Sequence, residues 1–154
     1  MQGTYKPDRG IGVAPGDRYA TFFLKNGVTI KGGYAGNGAL DPDERAIHLF
    51  WTILSGDLAG NDATVSNPLD LPNEPTRSDN SHRVVSVFNA DATTVLDGFI
   101  IIAGRNHSVL GYGGHGGGML CWGDDTNPTV VNCTFQRNSA DSNQLRIQRE
   151  RSQE

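Results

Sequence analysis

The 154-residue chain is poor in charge, in cysteine and in long apolar runs, and each shortage removes a class of protein. Charged residues make up 19% of the sequence, yet no apolar stretch approaches the ~20 residues that a membrane helix needs, so a membrane span is excluded. Only Cys121 and Cys133 are present. That excludes a disulfide-stapled miniature fold and leaves one bridge open, with two separate buried thiols as the preferred reading. Lys and Arg number 13 against 17 Asp and Glu, for a net charge of −4. A binder of phosphate backbones needs a basic face, so nucleic acid is a poor partner. The opening Met1-Gln2-Gly3-Thr4-Tyr5-Lys6-Pro7-Asp8 has neither the basic start nor the apolar stretch of a secretory signal. Apolar recurrence at helical spacing is almost missing before residue 140, which argues against a helical bundle.

What the chain does have is 20 glycines, 36% apolar residues and the length of one domain. Short β-branched segments alternate with Gly, Asn, Asp and Pro, an all-β pattern. Strands are expected within residues 20–24, 28–30, 52–54, 83–88, 94–102, 119–122 and 129–135. Two of these segments repeat. Gly27-Val28-Thr29-Ile30-Lys31-Gly32-Gly33 aligns with Gly98-Phe99-Ile100-Ile101-Ile102-Ala103-Gly104, and Thr94-Val95-Leu96-Asp97-Gly98 with Thr129-Val130-Val131-Asn132-Cys133. Such self-similarity predicts a parallel β solenoid of few coils, each burying small or branched side chains against its neighbours and turning at a polar or Gly corner. Cys133 and Ala103 suit a narrow interior, and Asn132 and Asn138 are candidates for a hydrogen-bonded ladder, with Asp97 at the corner equivalent to Asn132. An antiparallel sandwich is the alternative, but strands every 8 to 12 residues do not accommodate the irregular stretch 61–81, which carries three prolines. That stretch is expected as a polar, solvent-facing loop. The fold is thus placed in residues 1–140, with 141–154 as a disordered or helical tail outside it, since its two apolar residues cannot offset the cost of ordering.

Gly116-Gly117-Gly118-Met119, the turn Asn127-Pro128-Thr129, then Val131-Asn132-Cys133-Thr134-Phe135 and Asn138-Ser139-Ala140 resemble one repeat of the right-handed parallel β-helix proteins of bacterial cell surfaces, including those grouped with polymorphic outer-membrane proteins. Phe135-Gln136-Arg137-Asn138 fits the Phe-x-x-Asn signature of that group, and Gly3-Thr4-Tyr5-Lys6-Pro7, the segment 26–33 and Thr52-Ile53-Leu54-Ser55-Gly56-Asp57 resemble its N-terminal coils. The resemblance implies an extracellular or cell-surface location, an adhesive or structural role and no catalysis. Family members are longer, so it also implies a fragment whose open coil ends could self-associate.

The chemistry-bearing residues are few. Tyr112, His115 and Trp122 are the candidate contacts for a surface polysaccharide or a protein ligand. Asp57 and Asp62 flank a turn and are weak calcium candidates, so calcium is the one cofactor left open. His48, His82, His107 and His115 show no metal-ligand spacing, and no other metal is assigned. Gly111-Tyr112-Gly113-Gly114-His115-Gly116 matches G-x-G-x-x-G without the strand and helix that dinucleotide binding requires. Catalytic residues are not assigned. The alternatives to a surface module are part of a polysaccharide lyase of the pectate-lyase type, or a related glycoside hydrolase, and a truncated product with no function of its own.

Overall fold

A computed structural model describes residues 1–107 and 114–140. The tail expected over 141–154 lies outside the described residues. Among the described residues twelve short strands carry the architecture: β1 (Gly3–Tyr5), β2 (Phe22–Leu24), β3 (Thr29–Lys31), β4 (Thr52–Ser55), β5 (Val85–Phe88), β6 (Val95–Asp97), β7 (Ile100–Ile102), β8 (Arg105–Asn106), β9 (Met119–Trp122), β10 (Thr129–Val131), β11 (Thr134–Gln136) and β12 (Ser139–Ala140). They form four sheets, ordered β1-β4-β7-β11, β2-β5-β9, β3-β6-β10 and β8-β12, and every ladder between them is parallel. The protein is therefore all-β with parallel sheets, and among the described residues no helix is long and apolar enough to cross a membrane.

The chain visits the first three sheets in the same order three times before β11 returns it to the first. In the last two passages the register is constant. Val85 pairs with Met119, Val95 with Thr129, Ile100 with Thr134 and Arg105 with Ser139, always 34 residues apart. Corner conformation recurs at that same offset: left-handed φ values occur at Asn89 and Gly123, at Gly98 and Asn132, and at Ala103 and Arg137. Gly and Asn enter this region at little cost. These corners also break two expected strands, since 94–102 divides into β6 and β7 at Gly98, and 129–135 into β10 and β11 at Asn132.

The register corrects both sequence alignments. Thr29 to Lys31 pair with Val95 to Asp97, not with the segment starting at Gly98. Thr129 pairs with Val95, so Asp97 faces Val131 and the residue aligned with Asn132 is Gly98. In a pleated strand a slip of one residue exchanges the inward and outward faces. The observed register puts Leu96, fully buried, between Ile30 and Val130, and Ile101, equally buried, between Leu54 and Phe135. Around them Leu24, Val84, Val85, Val87, Ala90 and Phe99 complete the core, with Phe22, Met119 and Cys133 packed against it.

Residues 56–81 form an excursion between β4 and β5, and they differ from the solvent-facing loop expected there. Two 3₁₀ turns, Pro68–Asn73 and Pro75–Asp79, are each capped by a side chain, Asn67 accepting from the Leu69 N–H and Glu74 from the Thr76 N–H. The inner edge is buried, with Arg77, Asn80 and Ser81 fully enclosed. Four guanidinium groups fasten the excursion by donating to backbone carbonyls: Arg77 to Gly104 (3.1 Å), Arg18 to Asn80 (2.8 Å), Arg105 to Pro72 (2.9 Å) and Arg137 to Ala63 (3.2 Å). Arg77 also meets Asp62 at 3.0 Å, and the Asn80 amide donates to Asp62 at 3.0 Å and to the Ala103 carbonyl at 2.8 Å. The periodic pattern of apolar residues carries no signal for this network, because its members are polar residues that bury themselves in pairs.

Ile101→Ala should cost roughly 2–5 kcal/mol, the usual range for emptying a packed aliphatic site, whereas Phe135→Ala on the same column should cost less than about half as much, because Phe135 is 45% exposed. Urea unfolding midpoints compare the two. Arg77→Met should cost roughly 3–5 kcal/mol by leaving Asp62 buried without its partner, and Arg77→Met with Asp62→Leu should recover a large part of that loss. A double-mutant cycle on unfolding free energies measures the coupling.

Candidate functional site

The corner between β6 and β7 is held by an ionic cluster. Asp97 accepts from Arg45 at 2.8 Å through one carboxylate oxygen and from the Asn132 amide at 2.8 Å through the other. Burial pushes its carboxyl upward, but hydrogen bonds from Asn132 and Arg45, with the positive charges of Arg45 and Lys31, outweigh this and hold it below the ordinary value. Asn132 thus bonds diagonally to Asp97 in place of the ladder between equivalent corners. Asn138 likewise contacts backbone, donating to the Ile101 carbonyl and accepting from the Gly104 N–H, both at 2.9 Å. Cys133 is half-buried against the core and its thiol reaches the Leu96 carbonyl at 3.5 Å. Burial raises that thiol, which keeps it protonated and poorly nucleophilic. Cys121 is exposed, and both thiols are free, so the pair of buried thiols expected from the sequence reduces to one that is half-buried.

The calcium candidates serve the excursion. Asp57 accepts the backbone N–H groups of Gly60, Asn61 and Asp62, while Asp62 takes Arg77 and Asn80 on one oxygen. Burial pushes the Asp62 carboxyl up and the Arg77 guanidinium down, so desolvation outweighs the attraction between them. Among the described residues no three His, Cys, Asp or Glu side chains gather as a metal site. Through these bonds Asp57 acts as a turn former and Asp62 as a clamp.

Of the three residues expected to contact a ligand, Tyr112 lies outside the described residues. His115 is exposed, and its carbonyl accepts from the Asn106 amide at 2.6 Å. Trp122, at the far end of β9, finds other partners: its ring lies 5.4 Å from Phe88 and 6.2 Å, edge-on, from Phe23. Phe88 is its register partner on β5, and the Lys25 ammonium stands 4.9 Å over the Phe23 ring. The indole both packs on the layer beneath and faces solvent. With Phe23 42%, Phe88 44% and Trp122 39% exposed, three rings form an aromatic strip climbing the outer face of the β2-β5-β9 sheet. Such a strip offers flat apolar area with an adjacent cation, which suits sugar faces or apolar side chains of a partner. Phe88 and Trp122 stand at the 34-residue offset, so that period, applied to the aromatics, would have paired them in the sequence.

No protein-family model, curated protein or solved structure matches this chain.

A carboxyl held below its ordinary value stabilises the fold at pH values above that ordinary range, near 4, and the contribution disappears as pH falls through the depressed value. Unfolding free energy should therefore drop below about pH 4, and Asp97→Asn, which cannot ionise, should show a shallower drop than the parent chain. Urea titrations of both proteins at several acidic pH values check the difference in slope.

Proposed function

We propose that the chain is a right-handed parallel β-helix serving as a non-catalytic, rod-like module of an extracellular or bacterial cell-surface protein. The observation that carries this reading is the repeated visit to three parallel sheets in one order, with four strand pairs and three left-handed corners sharing one 34-residue offset. Stacked units of this kind make stiff scaffolds whose outer faces and excursions are free to vary. The polymorphic outer-membrane-like repeat motifs around Gly116 to Ala140 support the surface location. Residues 1–140 act as one unit in this reading, with the excursion as a rigid feature of its side.

The adhesive contact is the aromatic strip of Phe23, Phe88 and Trp122, with Lys25 beside it, and the partner is a surface polysaccharide or a protein. A non-catalytic role is supported by how the acidic groups are used: Asp57, Asp62 and Asp97 are committed to N–H donors or guanidinium groups inside the fold. Val130 and Phe135, on inward positions of the outermost described layer, remain partly exposed, which supports self-association by further stacking.

The full chain, displayed on beads, should bind one or more members of a panel of bacterial polysaccharides and matrix proteins without releasing reducing ends. Replacing Phe23, Phe88 and Trp122 together by Ser should cut retention at least tenfold, since tenfold needs only about 1.4 kcal/mol and three flat rings offer more apolar area than that requires at about 25 cal/mol per Å². Polysaccharide cleavage, or binding that ignores the triple variant while its circular dichroism is unchanged, would overturn the reading.

A further inference from the structure

A second aromatic site lies on a different face. A groove of about 670 Å³ follows the outer side of the β1-β4-β7-β11 sheet near the Asp97 corner, lined among others by Trp51, Ile53, Ile100, Asn132, Thr134 and Gln136. Leu54 and Ile101 face the core, so by alternation their neighbours Ile53 and Ile100 face outward and form an apolar floor. Trp51 precedes β4 on one side, and Thr134 and Gln136 belong to β11 on the other, two strand spacings or about 9.5 Å away. Trp51 is 58% exposed, yet its indole N–H is tied to the His48 carbonyl at 3.1 Å, which fixes the ring as a wall.

The wall is seated by glycine. Gly33 and Gly98 both have left-handed φ, and a Cβ added to them would come within 2.5 Å and 2.9 Å of the Ile47 side chain. Only their bare backbones let the segment carrying Ile47, His48 and Trp51 lie down on the corner. Arg45, two residues before Ile47, joins that segment to Asp97, and Asp97 in turn holds Asn132. The two sides of the groove are therefore braced by one ionic cluster.

Among the described residues no lining side chain is Asp, Glu, Lys or Arg, and His48 is the one imidazole there. A charged ligand entering would lose hydration, and the nearest charges, Arg45 and Asp97, are already paired with each other. A pyranose ring matches what is present: its C–H face would lie on Trp51 and the isoleucine floor, and its hydroxyls would reach the amides of Asn132 and Gln136 and the hydroxyl of Thr134. We propose that this groove binds an uncharged hexose residue of a glycan. The site stands on its own lining and does not depend on the aromatic strip or on the surface-module reading.

The chain has two tryptophans, so full-length Trp122→Phe leaves Trp51 as the only indole reporter while keeping the strip aromatic. The probes are cellohexaose, laminarihexaose, maltohexaose and mannohexaose, with trigalacturonate as the charged control. At least one neutral oligosaccharide should shift Trp51 emission to shorter wavelength. Calorimetry should show that affinity falls roughly tenfold or more in Trp51→Ala and several-fold in Gln136→Ala. Both substituted positions are exposed, and an unchanged thermal transition establishes that the variants are folded. The proposal is overturned if no neutral oligosaccharide perturbs Trp51, if binding survives Trp51→Ala, or if trigalacturonate binds as tightly as the neutral sugars. Loss of bead retention on cutting the strip, with Trp51 titration intact, would separate the two sites.

Discussion

Parallel pairing in constant register is the constraint on which everything else in this structure rests. Strands of two to four residues have no stability alone and become persistent only when layers above and below satisfy their backbone groups. That demand passes to the corners. If Gly98 turns the chain through a left-handed residue, the next layer must turn at Asn132, or the pairing on either side would slip and the inward columns would meet outward ones. The same holds for Ala103 with Arg137 and for Asn89 with Gly123. Ala and Arg at a left-handed φ cost of order 1–2 kcal/mol each, and the structure tolerates them because register is worth more than local comfort.

Polar chemistry is spent largely on keeping insertions from disturbing that register. The passage from β4 to β5 is much longer than its counterpart between β7 and β9, yet both begin and end on the same sheets. The extra chain is tied down at its inner edge by guanidinium-to-carbonyl bonds and by the buried Asp62, Arg77 and Asn80 group. The group is expensive: one Asp62 oxygen, the Arg77 Nε and the Asn80 carbonyl oxygen lack partners, and desolvation dominates both charges. Its value lies in geometry, because bonds to Ala103 and Gly104 lock the excursion to a corner of the next layer.

The two proposed recognition surfaces follow from the same stacking. Side chains that alternate outward on one strand are repeated by the strands above and below, so a single aromatic becomes a strip and a single turn becomes the wall of a groove. Phe88 and Trp122 are stacked by register, and Phe23 joins them from the layer below. Trp51 is placed by the bare backbones of Gly33 and Gly98. Neither surface is continuous in sequence, since each gathers residues from three passages of the chain.

By itself the sequence determined the all-β class, the approximate position of most strands and the residue types at the corners, because period-two patterning and the freedom of Gly and Asn are local properties. It also marked Trp122 as a surface aromatic and Cys133 as a side chain suited to the core. Tertiary structure alone decided the register, which differs by one residue from the alignment of 94–98 with 129–133 and wholly from that of 27–33 with 98–104. It decided that Asp97 and Asn132 bond to each other, that Arg77 is enclosed, and that Phe23 joins Trp122 and Phe88. The physical reason is that the first passages are lengthened by unequal excursions, so no fixed period spans the chain. Contacts between layers depend on which backbone hydrogen bonds form, and those are settled only when the layers stack.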